Sequence, residues 1–177
     1  MHRAIGEWLD CGFGIYESEG NFYIGADATR LTSLARYLPA DLKAWVHFIQ
    51  HEGGFADPVE DDNQLHVSWA ELRDHLHRWE QFLQGHPSLK PEVGHEVERL
   101  AWFFFLGLNN SPILGDNGRM DPEVLAAWRR FARNPAPSRY TATMRRLLKL
   151  LDANDHALTP EALALKEWVA QEIDPNR

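Results

Sequence analysis

Cysteine is nearly absent. Cys11 stands alone among 177 residues, so the chain can form no internal disulfide, and a disulfide-stapled scaffold is excluded. Long apolar runs are absent too. The longest, residues 100–108, falls well short of the roughly 20 residues that a helix needs to cross a bilayer. The first ten residues alternate charge with apolar side chains instead of building a secretion signal. These absences point to a cytoplasmic protein without a membrane partner.

Basic residues are the scarcer sign, with 18 Lys and Arg against 26 Asp and Glu, for a formal charge of −8. The imbalance is uneven. Residues 1–118 carry a net −10, residues 119–149 carry +6 and residues 150–177 carry −4. Separated fields of this kind steer association with charged partners when the segments form separate surfaces.

What the chain has in quantity is aromatic surface: seven Trp, nine Phe and four Tyr. Most of it falls at helical spacing, and the length suits one core. The expected architecture is mainly α: a compact orthogonal multi-helix bundle with a small N-terminal β-hairpin, forming one helical domain over 1–177.

Ile5, Trp8 and Leu9 share one side of a short N-terminal helix. Phe13, Ile15, Phe22 and Ile24 then flank the polar turn Glu17-Ser-Glu-Gly-Asn21, where Gly20 and Asn21 tolerate positive backbone angles, which gives the hairpin. Two strands alone are marginal, so the hairpin is expected to pack against helices. Asp27 caps a helix carrying Leu31, Leu34, Ala35 and Leu38, and Pro39 opens another with Leu42, Trp45, Val46 and Ile49.

Ser68 and Glu71 match a capping box ahead of Leu72, Leu76, Trp79 and Leu83. The helix expected from Pro91 to Leu108 has almost no polar face over 101–106. It is either a central helix or, with Phe103 to Phe105 at the surface, a homodimer interface. Three further helices are expected, starting at Pro122, near Ser138 or Thr141, and at Pro160.

The C-terminal third contains an echo. Leu114-Gly-Asp-Asn-Gly-Arg-Met-Asp-Pro-Glu-Val-Leu125 is repeated loosely by Leu151-Asp-Ala-Asn-Asp-His-Ala-Leu-Thr-Pro-Glu-Ala-Leu163. Each puts a polar turn before a Pro-Glu pair that opens a helix, which suggests a helix-start repeat at 114–133 and 151–173. As calcium loops both fail. Counted from Asp152 the twelfth position is Leu163, and counted from Asp116 it is Ala127, where a hard cation needs a carboxylate.

Catalytic patterns are equally incomplete. Cys11 has the acidic neighbour Asp10, the serines lack a nucleophile elbow, and Gly12 and Gly14 lack the rest of a dinucleotide fingerprint. No cofactor is expected. Metal candidates are His47 with His51, Asp74 with His77, and Glu92 with His95, pairs at helical spacing that would form a site only if three helices converged. A metal-dependent enzyme built on them ranks below a binding role.

The leading expectation is a macromolecular interaction protein, an adaptor or an inhibitory partner of the immunity type. Its acidic face would be Asp57, Glu60, Asp61 and Asp62, with Glu52 and Glu71 nearby and Trp69 as a rigid apolar contact, and it would meet a basic protein surface. Arg129, Arg130 and Arg133 form a second contact within the basic 119–149 segment. Nucleic-acid binding through that segment ranks lower, because no zinc-finger or RNA-binding motif accompanies the charge.

Overall fold

The computed structural model describes residues 13–18, 21–27, 31–52, 59–136 and 138–173. The expected N-terminal helix with Ile5, Trp8 and Leu9, as well as Cys11 and Asp57, lies outside the described residues. The described chain is a mainly helical, compact multi-helix bundle. Its helices are α1 (Ala40–His51), α2 (Trp69–Gly85), α3 (Lys90–Leu106), α4 (Pro122–Ala132), α5 (Thr141–Ala153) and α6 (Pro160–Ile173).

Short polar signals set the helix starts. The Ser68 hydroxyl accepts the Glu71 N–H at 3.2 Å and the Glu71 carboxylate accepts the Ser68 N–H at 2.8 Å, a complete capping box on α2. Asp121 accepts the N–H groups of Glu123 and Val124 ahead of Pro122, so α4 begins on a capping carboxylate and a preset φ. Gly107 ends α3 at φ 76°, and a Cβ there would meet Ile113 and the Ser111 carbonyl at 3.0 Å.

α2 packs on α3 and α4, α4 on α5, and α6 on both α3 and α5. The apolar stretch of α3 lies where these helices meet. Phe104 and Phe105 are fully buried and Phe103 is 7% exposed, with rings packed on Phe131, Trp128 and Tyr140. Phe103 to Phe105 are therefore core, and a homodimer through this run is overturned. A second aromatic group joins α1 to α2, with Phe48 stacked on Phe82 at 4.2 Å and edge-on to Trp79.

β1 (Phe13–Ser18) pairs antiparallel with β2 (Asn21–Ala26), Ile15 opposite Ile24. Residues 19 and 20 between them lie outside the described residues. The expected packing against helices is not met by their apolar face. Phe13, Ile15, Phe22 and Ile24, which alternation puts on one side, are 42% to 75% exposed. Past residue 30, Leu31 closes a turn on the Asp27 carbonyl, and the chain then tightens into a 3-10 turn at Ala35–Tyr37.

Candidate functional site

Two surfaces of opposite sign come out of this packing. The first is the turn between β3 (Glu60–Asp61) and β4 (Gln64–Leu65). Asp62 and Asn63 take φ values of 51° and 56°, the left-handed pair that a two-residue hairpin turn requires and that Asp and Asn tolerate. The turn is held from outside. The Asn110 amide donates to the Asp62 carbonyl at 2.9 Å, the Asn110 N–H donates to the Asn63 carbonyl at 2.9 Å, and Ser111 Oγ accepts the Leu65 N–H.

The acidic surface is smaller than the sequence suggests. Glu60 accepts the Asn63 N–H at 3.1 Å and lies 3.9 Å from Arg99, and Glu71 serves the cap of α2. Glu52 is buried, bonded to His75 Nδ1 at 2.6 Å and to Arg78. Burial pushes the Glu52 carboxyl up, but the bonds from His75 and Arg78 outweigh it and leave the group below its ordinary value. Trp69, at 9% exposure, belongs to the core and offers no outward contact. Among the described residues, Asp62 stays exposed at the tip, beside the half-buried Asp61.

The second surface follows α4 and α5. Arg129, Arg133, Arg145 and Lys149 line a groove of about 390 Å³ with Ala132, Leu148 and Asp152. Arg129 donates to Asp152 at 2.6 Å and lies 3.2 Å from His156 Nε2. Arg145 Nε donates to the Ala132 carbonyl at 2.9 Å. Arg130 is exposed and does not line this groove.

The echoed loops meet beside it. Arg119 and Ala157 form an antiparallel bridge, and the Met120 N–H donates to the His156 carbonyl at 2.9 Å. Three of their carboxylates are engaged: Asp121 caps α4, Asp152 holds Arg129, and Asp155 pairs with Arg119. Among the described residues, neither loop gathers three or more carboxylates or imidazoles around a cation position.

The metal candidates do not form a ligand set. His47 and His51 are exposed on α1, and Asp74 is held by Arg73 at 2.7 Å. His77 contacts Gln81 at 2.8 Å, Glu92 is exposed, and His95 lies 3.3 Å from Glu96. Among the described residues no group of three or more His, Cys, Asp or Glu could hold a metal ion. Among the same residues no helix is long and apolar enough to cross a membrane.

One buried acid was missed by sequence reasoning. Glu80 is 7% exposed, accepts the Ser138 hydroxyl at 2.7 Å through Oε1, and has no partner at Oε2. Its position four residues after Leu76 put it on the buried stripe of α2, so the signal was present. Burial raises the Glu80 carboxyl above 4.5, with the Ser138 bond opposing, and burial pushes the nearby Tyr140 hydroxyl up to about 12. A carboxyl raised on folding stabilises the native state below its unfolded value and loses that contribution as pH rises through the folded value. Glu80→Gln is expected to flatten the decline in stability as pH rises above about 4.5, checked by urea unfolding at several pH values.

No protein-family model matches the chain, and no characterised protein or solved structure compared with it does so either.

Proposed function

We propose that the protein is a macromolecular interaction protein, an adaptor or an inhibitory partner of the immunity type, that meets a basic protein surface with Asp61 and Asp62. The observation that carries this reading is the fixed presentation of the turn, whose backbone is held by Asn110 and whose strand is held by Ser111. A pre-ordered tip loses little conformational entropy on docking, so the charge of the exposed Asp62 acts on affinity and orientation from a fixed position. The reading takes residues 1–177 as one cytoplasmic domain, with β1 and β2 closing as a hairpin and the helices crossing orthogonally. The metal-dependent and nucleic-acid alternatives have less support, one lacking an assembled ligand set and the other a readout motif.

The test is affinity purification of the full chain from its native cells, beside the Asp61→Lys, Asp62→Lys double variant. A stoichiometric basic protein recovered with the parent and lost with the variant is the expected result. Equal recovery by both chains would remove the acidic tip from the interaction.

A further inference from the structure

We infer that the groove between α4 and α5 binds a short acidic segment of a partner protein, with its carboxylates against Arg129, Arg133, Arg145 and Lys149. These four cations face a single lining carboxylate, Asp152, above a floor of Ala132 and Leu148. Arg129 and Arg145 are already oriented by bonds to Asp152 and to the Ala132 carbonyl. Among the described residues, Arg133 and Lys149 have no ion-pair partner. The groove thus combines two pre-set guanidinium groups with two unspent charges, an arrangement suited to carboxylate oxygens.

Helix-end electrostatics accounts for only half of the cluster. Arg129 lies in the last turn of α4 and Arg133 at its C-cap, where a cation complements the negative end of the dipole. Arg145, by contrast, stands in the second turn of α5 (Thr141–Ala153), nearer the end where the dipole disfavours positive charge. Its bond to the Ala132 carbonyl instead holds it across to α4.

The rest of the surface selects the occupant. Nucleic acid carries a continuous line of phosphates and is bound by tracks of cations, whereas the chain on either side of 119–149 is net acidic. A short peptide needs only the groove. Its apolar or methylene-bearing side chains can lie on Ala132 and Leu148 while its carboxylates reach the cationic walls.

Fluorescence anisotropy with a labelled peptide of repeated Glu-Glu-Leu, a matched Gln-Gln-Leu peptide and a single-stranded oligonucleotide tests the inference on the full chain. Saturable binding of the acidic peptide is expected, weakened about tenfold or more by Arg133→Glu with Lys149→Glu. Arg130→Glu, outside the groove, is expected to change it much less, with thermal melts confirming that each variant folds. The Asp61→Lys, Asp62→Lys chain should keep the peptide, which separates failure here from failure of the acidic tip. No saturable peptide binding, equal binding of the Gln peptide, equal sensitivity at Arg130, or tighter binding of the oligonucleotide would overturn the inference.

Discussion

Trp128→Ala is expected to cost about 4 kcal/mol of folding stability, within the range for deleting a large buried aromatic side chain. Trp128 is fully buried, and its ring nitrogen donates to the Phe104 carbonyl at 2.9 Å, tying α4 to the centre of α3. Truncation would open a cavity beside Phe105 and remove that donor together. Native domains have only about 5 to 15 kcal/mol in reserve, so the variant should lie close to the edge of folding. Trp128→Phe keeps most of the volume and should lose about 1 to 2 kcal/mol, mainly through the hydrogen bond. Trp168→Ala, at a site 47% exposed on α6, should cost less, about 1 kcal/mol. Guanidinium unfolding of the three variants checks this order. Equal losses at Trp128 and Trp168 would contradict the assignment of the core.

Trp128 is legible in the sequence because Val124, Leu125, Trp128 and Phe131 repeat at helical spacing, which is a local property. The capping box at Ser68 and the proline starts of α4 and α6 were legible for the same reason. Local patterns also identified the 101–106 stretch as unusual but left open whether neighbouring helices or a second copy covered it. Only the packing of α4 and α6 decided that. The echo at 114–125 and 151–163 was visible as similarity, while the bridge from Arg119 to Ala157 depends on two chain segments meeting in space.

The charged surfaces show the same division. Summing residues 119–149 predicted a basic region, but not that Arg145 and Lys149 on α5 would face Arg129 and Arg133 on α4. On the acidic side, the sequence counted every carboxylate as surface charge. Folding assigned Glu60, Glu71 and Glu52 to internal partners, because a carboxylate near an unpaired backbone N–H or a guanidinium is stabilised by that contact. Charge composition bounds the available field, and tertiary pairing decides how much of it reaches solvent.

The pairing at Glu52 carries the second large effect, because Arg78→Ala should cost about 2 kcal/mol near neutral pH. The Glu52 side chain is 5% exposed, while that of Arg78 is 45% exposed. Breaking a fully buried pair typically costs about 3 to 5 kcal/mol, and access of water to the Arg78 side reduces the figure. Removing Arg78 leaves a buried carboxylate with His75 as its remaining described partner. The native group is held below 4.5, so it contributes stability above its unfolded value and loses it as pH falls through the folded value. Without Arg78, burial is opposed by two hydrogen bonds and one positive charge fewer, and the folded value rises. The difference between parent and variant should therefore be full near neutral pH and shrink on acidification as the carboxyl protonates in both. Urea midpoints between about pH 3 and pH 7 would measure it. Adding Glu52→Gln to Arg78→Ala should recover part of the loss at neutral pH by removing the stranded charge, whereas a further additive loss would show that the pair is not the source of the effect.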